Sequence, residues 1–199
     1  EVSGAATLVI TQGDAPALRV EAERNVLDRL QTDVDGDTLR LRERWGWLGL
    51  GALWGRDDVT YYLTAPALDV IDISGSVAVQ GSDPLAGDEL VIECSGSTDL
   101  DLNVEVGTLR VHTSGSANVD LRGSADSVQF DTSGSTNVAA RGLATRTAEI
   151  DCSGSSDIEV NVSQSLRVRA SGSSSVAYVG DPALDTDISG SGTVQRLTE

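Results

Sequence analysis

The chain has 199 residues, with 14 Lys+Arg against 31 Asp+Glu, a net charge of −17 and no lysine at all. That length can bury a real core, as one large domain or two small ones. The charge excludes a nucleic-acid surface, which needs clustered cations to displace counterions, and disfavours attraction to anionic lipid; no apolar run reaches the roughly 18 residues of a spanning helix.

In chain order, EVSGAATLVITQGD (1–14) reads as an extended segment in which Leu8 and Ile10 alternate inward after Gly4. ALRVEAE, LQTDV, TLRLRER and VTYYLTAP come next as further strands, and Asp35-Gly36 between Val34 and Leu39 predicts a hairpin turn. Residues 1–66 are thus expected to form a partly antiparallel β region. It would cap the remainder of the chain and hide a sheet edge that would otherwise invite aggregation.

Residues 44–58, RWGWLGLGALWGRDD, interrupt these strands and hold all three tryptophans. Their glycines oppose a stable helix. One reading is a folded-back loop that plugs the end of the fold. The other is a protruding apolar tip, with Trp45, Trp47, Trp54, Leu50 and Leu53 contacting a partner, a glycan or a second copy.

From residue 67 onward a short phrase recurs: DISGSVAV, ECSGSTDL, HTSGSANV, DTSGSTNV, DCSGSSDI, RASGSSSV and DISGSGTV. Its central glycines are Gly75, Gly96, Gly115, Gly134, Gly154, Gly172 and Gly190, 18 to 21 residues apart. Four residues after each glycine stand Val79, Leu100, Val119, Val138, Ile158, Val176 and Val194; four before stand Ile71, Ile92, Val111, Phe130, Ile150, Val168 and Thr186. Two strand-period runs broken at a tight corner repeat too regularly for a Ser-Gly-Ser linker. Length variation falls at the other corner, where it cannot turn later side chains to the wrong face. Each unit is too small to bury its own apolar stripe, so the pattern predicts stacking. The expected fold class is all-β: a parallel β-helix or β-solenoid of about seven 18–21-residue coils over residues 67–199. Glycine supplies a corner that a Cβ would oppose, and the flanking serines are expected to bond along the column and to corner amides.

Cys94 and Cys152 occupy one column three units apart, about 14 Å on parallel-strand spacing. A disulfide needs Cα atoms within about 7 Å. Two free, buried thiols are therefore expected.

The phrase LRVEAERNVLDRLQTDVDGDTLRLR (18–42), followed by LTAPALDVIDISGSVAV and the serial S-G-S repeats, resembles the putative auto-transporter adhesin, head GIN domain family over almost the whole chain. The family's Gly-Ile-Asn-type lead is not visible in these residues. The resemblance implies a β-helix-like fold on exported, envelope-associated bacterial proteins and brings no enzymatic residues with it. No signal peptide is visible at Glu1, so a leader is expected to have been removed and the chain to reside in the periplasm or on the cell surface.

Three residues before each corner glycine stand Asp72, Glu93, His112, Asp131, Asp151, Arg169 and Asp187. Stacked like charges repel, and His112 and Arg169 relieve the run. Asp131 and Asp151 are the weak candidates for calcium, which favours carboxylate oxygens; a solvated acidic ladder is the plainer reading. Asp99, Asp101, Asp120, Asp157 and Glu159 form a second outward acidic group. Carboxylates recurring unit after unit favour a surface over one active site, and neither a Gly-x-Ser-x-Gly elbow nor a zinc-type cluster is present. The function expected is therefore non-enzymatic, without cofactor: a rigid exported surface for adhesion to a protein or glycan. The alternatives are a polysaccharide-active β-helix enzyme and a self-assembling structural module. Homo-oligomers would form through the Trp loop or the ends of the fold, although Arg196 at an apolar position of the last repeat argues against open stacking.

Overall fold

The computed structural model describes residues 1–43 and 59–198. Its elements are β1 (Val2–Gln12), β2 (Ala17–Glu21), α1 (Arg24–Leu27), β3 (Leu30–Asp35), β4 (Thr38–Glu43), β5 (Thr60–Ala65), β6 (Val70–Gly172), β7 (Ser175–Val179), β8 (Ala183–Gly190) and β9 (Thr193–Arg196). The strands join in one nine-stranded sheet of order β2-β5-β1-β6-β7-β9, with β4 on β1, β3 on β4 and β8 on β6.

Pairing within that sheet is mixed. β1 runs parallel to β4, β5 and β6, and β6 parallel to β7 and β8. β2 is antiparallel to β5, and β3 to β4. The parallel β-helix or β-solenoid expected from the sequence is corrected accordingly: the fold is an all-β, mixed sheet of nine strands. The reason lies in β1. One edge of it matches the repeat, with Gly4 opposite Gly75 and Leu8 opposite Val79, while its other edge receives β4 and β5. The antiparallel strands are thereby drawn into the same hydrogen-bonded sheet. A glycine column in the sequence reports which residues are neighbours, not the direction of strands outside the repeat.

β6 covers 103 residues and is not one straight ribbon. Drawn out it would reach ~340 Å, yet its corner glycines touch. A Cβ built on Gly96 would stand 2.3 Å from the carbonyl oxygen of Gly75, and one on Gly134 2.3 Å from that of Gly115. β6 is therefore a succession of shorter extended segments that turn at these glycines, where φ is +104° at Gly96 and +107° at Gly134. Such angles are open to glycine and costly for any residue with a Cβ.

The alternating side chains meet in a core cluster that runs from Val2, Leu8 and Leu41 through Ile73, Ile92, Val111, Phe130 and Ile150 to Val168 and Val176. Phe130 is its largest fully buried side chain. Both cysteines are free and buried, as their spacing required. The Asp35-Gly36 turn is present: β3 and β4 pair with Val34 opposite Leu39 and Asp35 opposite Thr38, and Gly36 takes φ +61°.

Candidate functional site

Along the N-terminal side of the glycine corners runs an open groove of about 710 Å³. Its lining follows from the pleat. Where a residue two before the glycine points into the core, those one and three before it point out. The groove therefore shows Ser95, Ser114, Ser133, Ser153 and Ser171 beside Asp72, Glu93, His112, Asp131, Asp151, Arg169 and Asp187.

These groups are largely committed to one another. His112 Nδ1 lies 3.0 Å from Asp131 Oδ2, which also accepts a hydrogen bond from Gln129 Nε2 at 3.0 Å. Arg169 Nη1 bridges Glu149 Oε1 at 2.8 Å and Asp151 Oδ2 at 3.2 Å. Hydrogen bonding to Asp151 raises the Arg169 pKa further, so this cation is fixed. The two calcium candidates, Asp131 and Asp151, thus each face a basic side chain. Among the described residues no three His, Cys, Asp or Glu side chains are grouped as a metal would need.

The serines do not bond to one another or to corner amides as the sequence led us to expect. Ser95, Ser133 and Ser153 donate to the carbonyl oxygens of Ile73, Thr113 and Thr132, at 3.3, 3.3 and 3.5 Å. Each ties its corner to the preceding one. That use of the hydroxyl is structural.

A second, smaller groove of about 240 Å³ lies beyond the corners, among Asp99, Asp101, Asn118, Asp120 and Asn137. Asn118 Nδ2 donates to Asp99 Oδ1 at 2.8 Å, and Arg122 holds Asp101 at 2.6 Å and Asp120 at 3.3 Å. Arg110 likewise pairs with Glu89, and Arg167 with Asp185 at 3.0 Å. The acidic ladders are broken by arginines of neighbouring segments, which lowers repulsion that the net charge alone would imply.

Sequence reasoning missed what lies beneath the corners. The residues two after each glycine are Val77, Thr98, Ala117, Thr136, Ser156, Ser174 and Gly192, small throughout and hydroxylated in four cases. Thr98, Thr136, Ser156 and Ser174 are buried. Thr113 bonds Thr136 at 3.0 Å and Thr132 bonds Ser156 at 3.1 Å, each reaching the next corner. The hydroxyls beside the cysteines, Thr98 Oγ1 and Ser174 Oγ, have no nitrogen or oxygen partner. Burial pushes the Cys94 thiol up to about 11 and raises that of Cys152, with Thr98 and Ser174 opposing the shift. Neither is an activated thiolate. The signal was the uniform smallness of that column.

Trp45, Trp47, Trp54, Leu50 and Leu53 lie outside the described residues. Among the described residues, no helix is long and apolar enough to cross a membrane.

Comparison with known proteins gives one family model, described as "Putative auto-transporter adhesin, head GIN domain", which matches residues 1–182. No curated protein matches the chain. Among solved structures, a putative adhesin from Bacteroides fragilis is similar at TM-score 0.87 and 23% identity, covering 98% of this chain and 90% of its own. A structure described as a putative lipid binding protein from Parabacteroides distasonis is similar at TM-score 0.74 and 21% identity, over 99% and 92% of the two chains. A putative adhesin from Parabacteroides merdae is similar at 0.61 and 17%, over 99% and 91%. At these identities the three structures speak for the fold.

Proposed function

Since the chain belongs to the family described as "Putative auto-transporter adhesin, head GIN domain", we propose that it is a non-catalytic, adhesin-like module that is exported and presents a preordered surface to a protein or glycan. The observation that supports this reading is the groove beside the glycine corners. The same kinds of side chain are repeated there on hydrogen-bonded backbone, and its His112, Asp131, Asp151 and Arg169 are held by each other and by neighbouring segments. A surface already ordered loses little entropy when it binds. Placement in the periplasm or on the cell surface belongs to the same proposal, as does residues 44–58 acting as a second contact through Trp45, Trp47, Trp54, Leu50 and Leu53.

The test is binding of the full chain to a panel of glycans, envelope proteins and lipid vesicles, with and without calcium. The lipid arm takes up the description of the Parabacteroides distasonis neighbour. The chain should retain a glycan or protein ligand and release it when Glu93→Lys and Asp72→Lys reverse the charge at one end of the groove. Deleting residues 46–55 separates two roles for that segment: retained folding with lost binding marks a contact tip, and lost folding marks a plug. A calcium-dependent gain abolished by Asp131→Asn would assign the ion to that ladder. Turnover of any glycan would overturn the non-catalytic reading.

A further inference from the structure

The two ends of the sheet are finished differently. Near the first strands, Leu8, Ile10, Leu41 and Tyr61 are at most 2% exposed. At the other end β8 hydrogen-bonds only to β6 among the described residues, with Leu184 opposite Leu166, Thr186 opposite Val168 and Ile188 opposite Ala170. Leu166 and Val168 are buried at 1% and 0%, whereas Leu184 and Ile188 are 46% and 39% exposed. The outer edge of β8 thus carries no paired strand among the described residues.

We infer that a second copy of this chain supplies one, by antiparallel pairing of β8 with β8 across a two-fold axis through Thr186. The segment Leu184-Asp185-Thr186-Asp187-Ile188 is symmetric in chemical type about its centre. Antiparallel pairing on Thr186 sets Leu184 against the partner's Ile188 on the core side, and Ile188 against the partner's Leu184. On the outer side Asp185 meets the partner's Asp187. That contact would be repulsive alone, but in this sheet Asp185 stands opposite Arg167 and Asp187 opposite Arg169. Across the joint each outer row then reads Arg, Asp, Asp, Arg; Arg167 is ion-paired with Asp185 at 3.0 Å, while Arg169, opposite Asp187 in register, is held by Glu149 and Asp151. A head-to-tail filament is disfavoured, because the other end offers no comparable apolar face among the described residues. The joint closes after two copies.

Sedimentation of the full chain should show a monomer–dimer equilibrium as concentration rises. The double variant Leu184→Lys, Ile188→Lys should lose the dimer with an unchanged circular dichroism spectrum, since both side chains are partly exposed in the monomer. A single Thr186→Cys should oxidise to a covalent dimer. Residues directly opposite in an antiparallel pair have Cα atoms about 4.5–5.5 Å apart, within disulfide reach, and the native Cys94 and Cys152 are buried. Asp185→Cys, which would face position 187, should crosslink far less. A chain that stays monomeric at every concentration, a dimer indifferent to the two lysines, or equal crosslinking from both positions would overturn the inference.

Discussion

Two glycine turns in this chain obey the same backbone rule and differ in what surrounds them. Gly36, in the β3–β4 hairpin, has φ +61°, and a Cβ there would meet nothing within 4 Å. Gly134 has φ +107°, and a Cβ there would fall 2.3 Å from the Gly115 carbonyl oxygen and 3.1 Å from its nitrogen. The first is a local requirement of one turn; the second is a joint between successive segments of the sheet. What differs is whether an error can be absorbed where it occurs. The largest expected effect is at this joint. Gly134→Ala adds an unfavourable φ to a clash with backbone that cannot rotate away, and should cost more than ~3 kcal/mol or prevent folding. Gly36→Ala should cost about 1–2 kcal/mol, the strain of a left-handed turn alone. Urea denaturation of the two variants measures the difference, and equal costs would break the contrast.

The same contrast extends to side chains. Phe130, fully buried four residues before Gly134, fills space between stacked segments, whereas Val34 beside Gly36 is 73% exposed. Phe130→Ala should destabilise by about 3–5 kcal/mol through lost burial and the cavity left behind. Val34→Ala should stay within about 0.5 kcal/mol.

How much of this was readable beforehand depends on whether the cause is periodic. The stacking of corner glycines, the inward columns at Val79, Leu100, Val119 and their equivalents, and the free thiols all stem from one repeat, and the repeat is in the residue order. Strand direction in residues 1–66 is so only in part: Asp35-Gly36 announces the antiparallel β3–β4 pair, but nothing in the residue order sets β4 and β5 parallel to β1. Leu8 and Ile10 alternate inward after Gly4, and Gly4 and Leu8 stand opposite Gly75 and Val79 of the repeat, but β1 also offers its other edge to β5, from Thr7–Thr60 to Gln12–Ala65. Through that parallel edge the antiparallel pairs β2–β5 and β3–β4 join the sheet and make it mixed, and alternation along β1 carries no information about which strands flank it. In the groove, the position of His112 was legible from its column. Its contact with Asp131, and the serines' choice of the preceding carbonyl over one another, depend on side-chain rotation. The buried hydroxyls were masked by a search for apolar columns alone.

Cys94 brings the comparison into the range of pH. Its thiol is held near 11 in the fold against an ordinary value of 9.0, because burial disfavours the thiolate. Above pH 9 the unfolded chain therefore binds fewer protons than the folded one, so stability falls as pH rises from about 9 to 11 and is fully retained below 9. The loss should be on the order of 3 kcal/mol at most, measured as a falling urea midpoint. Cys94→Ala should flatten that slope, although it also creates a small cavity. Alkylation at pH 8 should leave the native thiol untouched and modify it after unfolding.

The finest test of the corner joint lies in the hydroxyl row. Thr113 and Thr136 satisfy each other in a buried setting, so Thr136→Val should cost about 1–3 kcal/mol by leaving the Thr113 hydroxyl unpartnered. At Cys152 the order is reversed. Ser174 Oγ already lacks a nitrogen or oxygen partner there, and the same column accepts threonine at 113 and 132. Cys152→Thr should therefore extend the pattern of Thr132–Ser156 by one step and gain up to about 1 kcal/mol. A loss at 152 would mean that sulfur fills a space oxygen and methyl cannot share, and that the row is set by volume before hydrogen bonding.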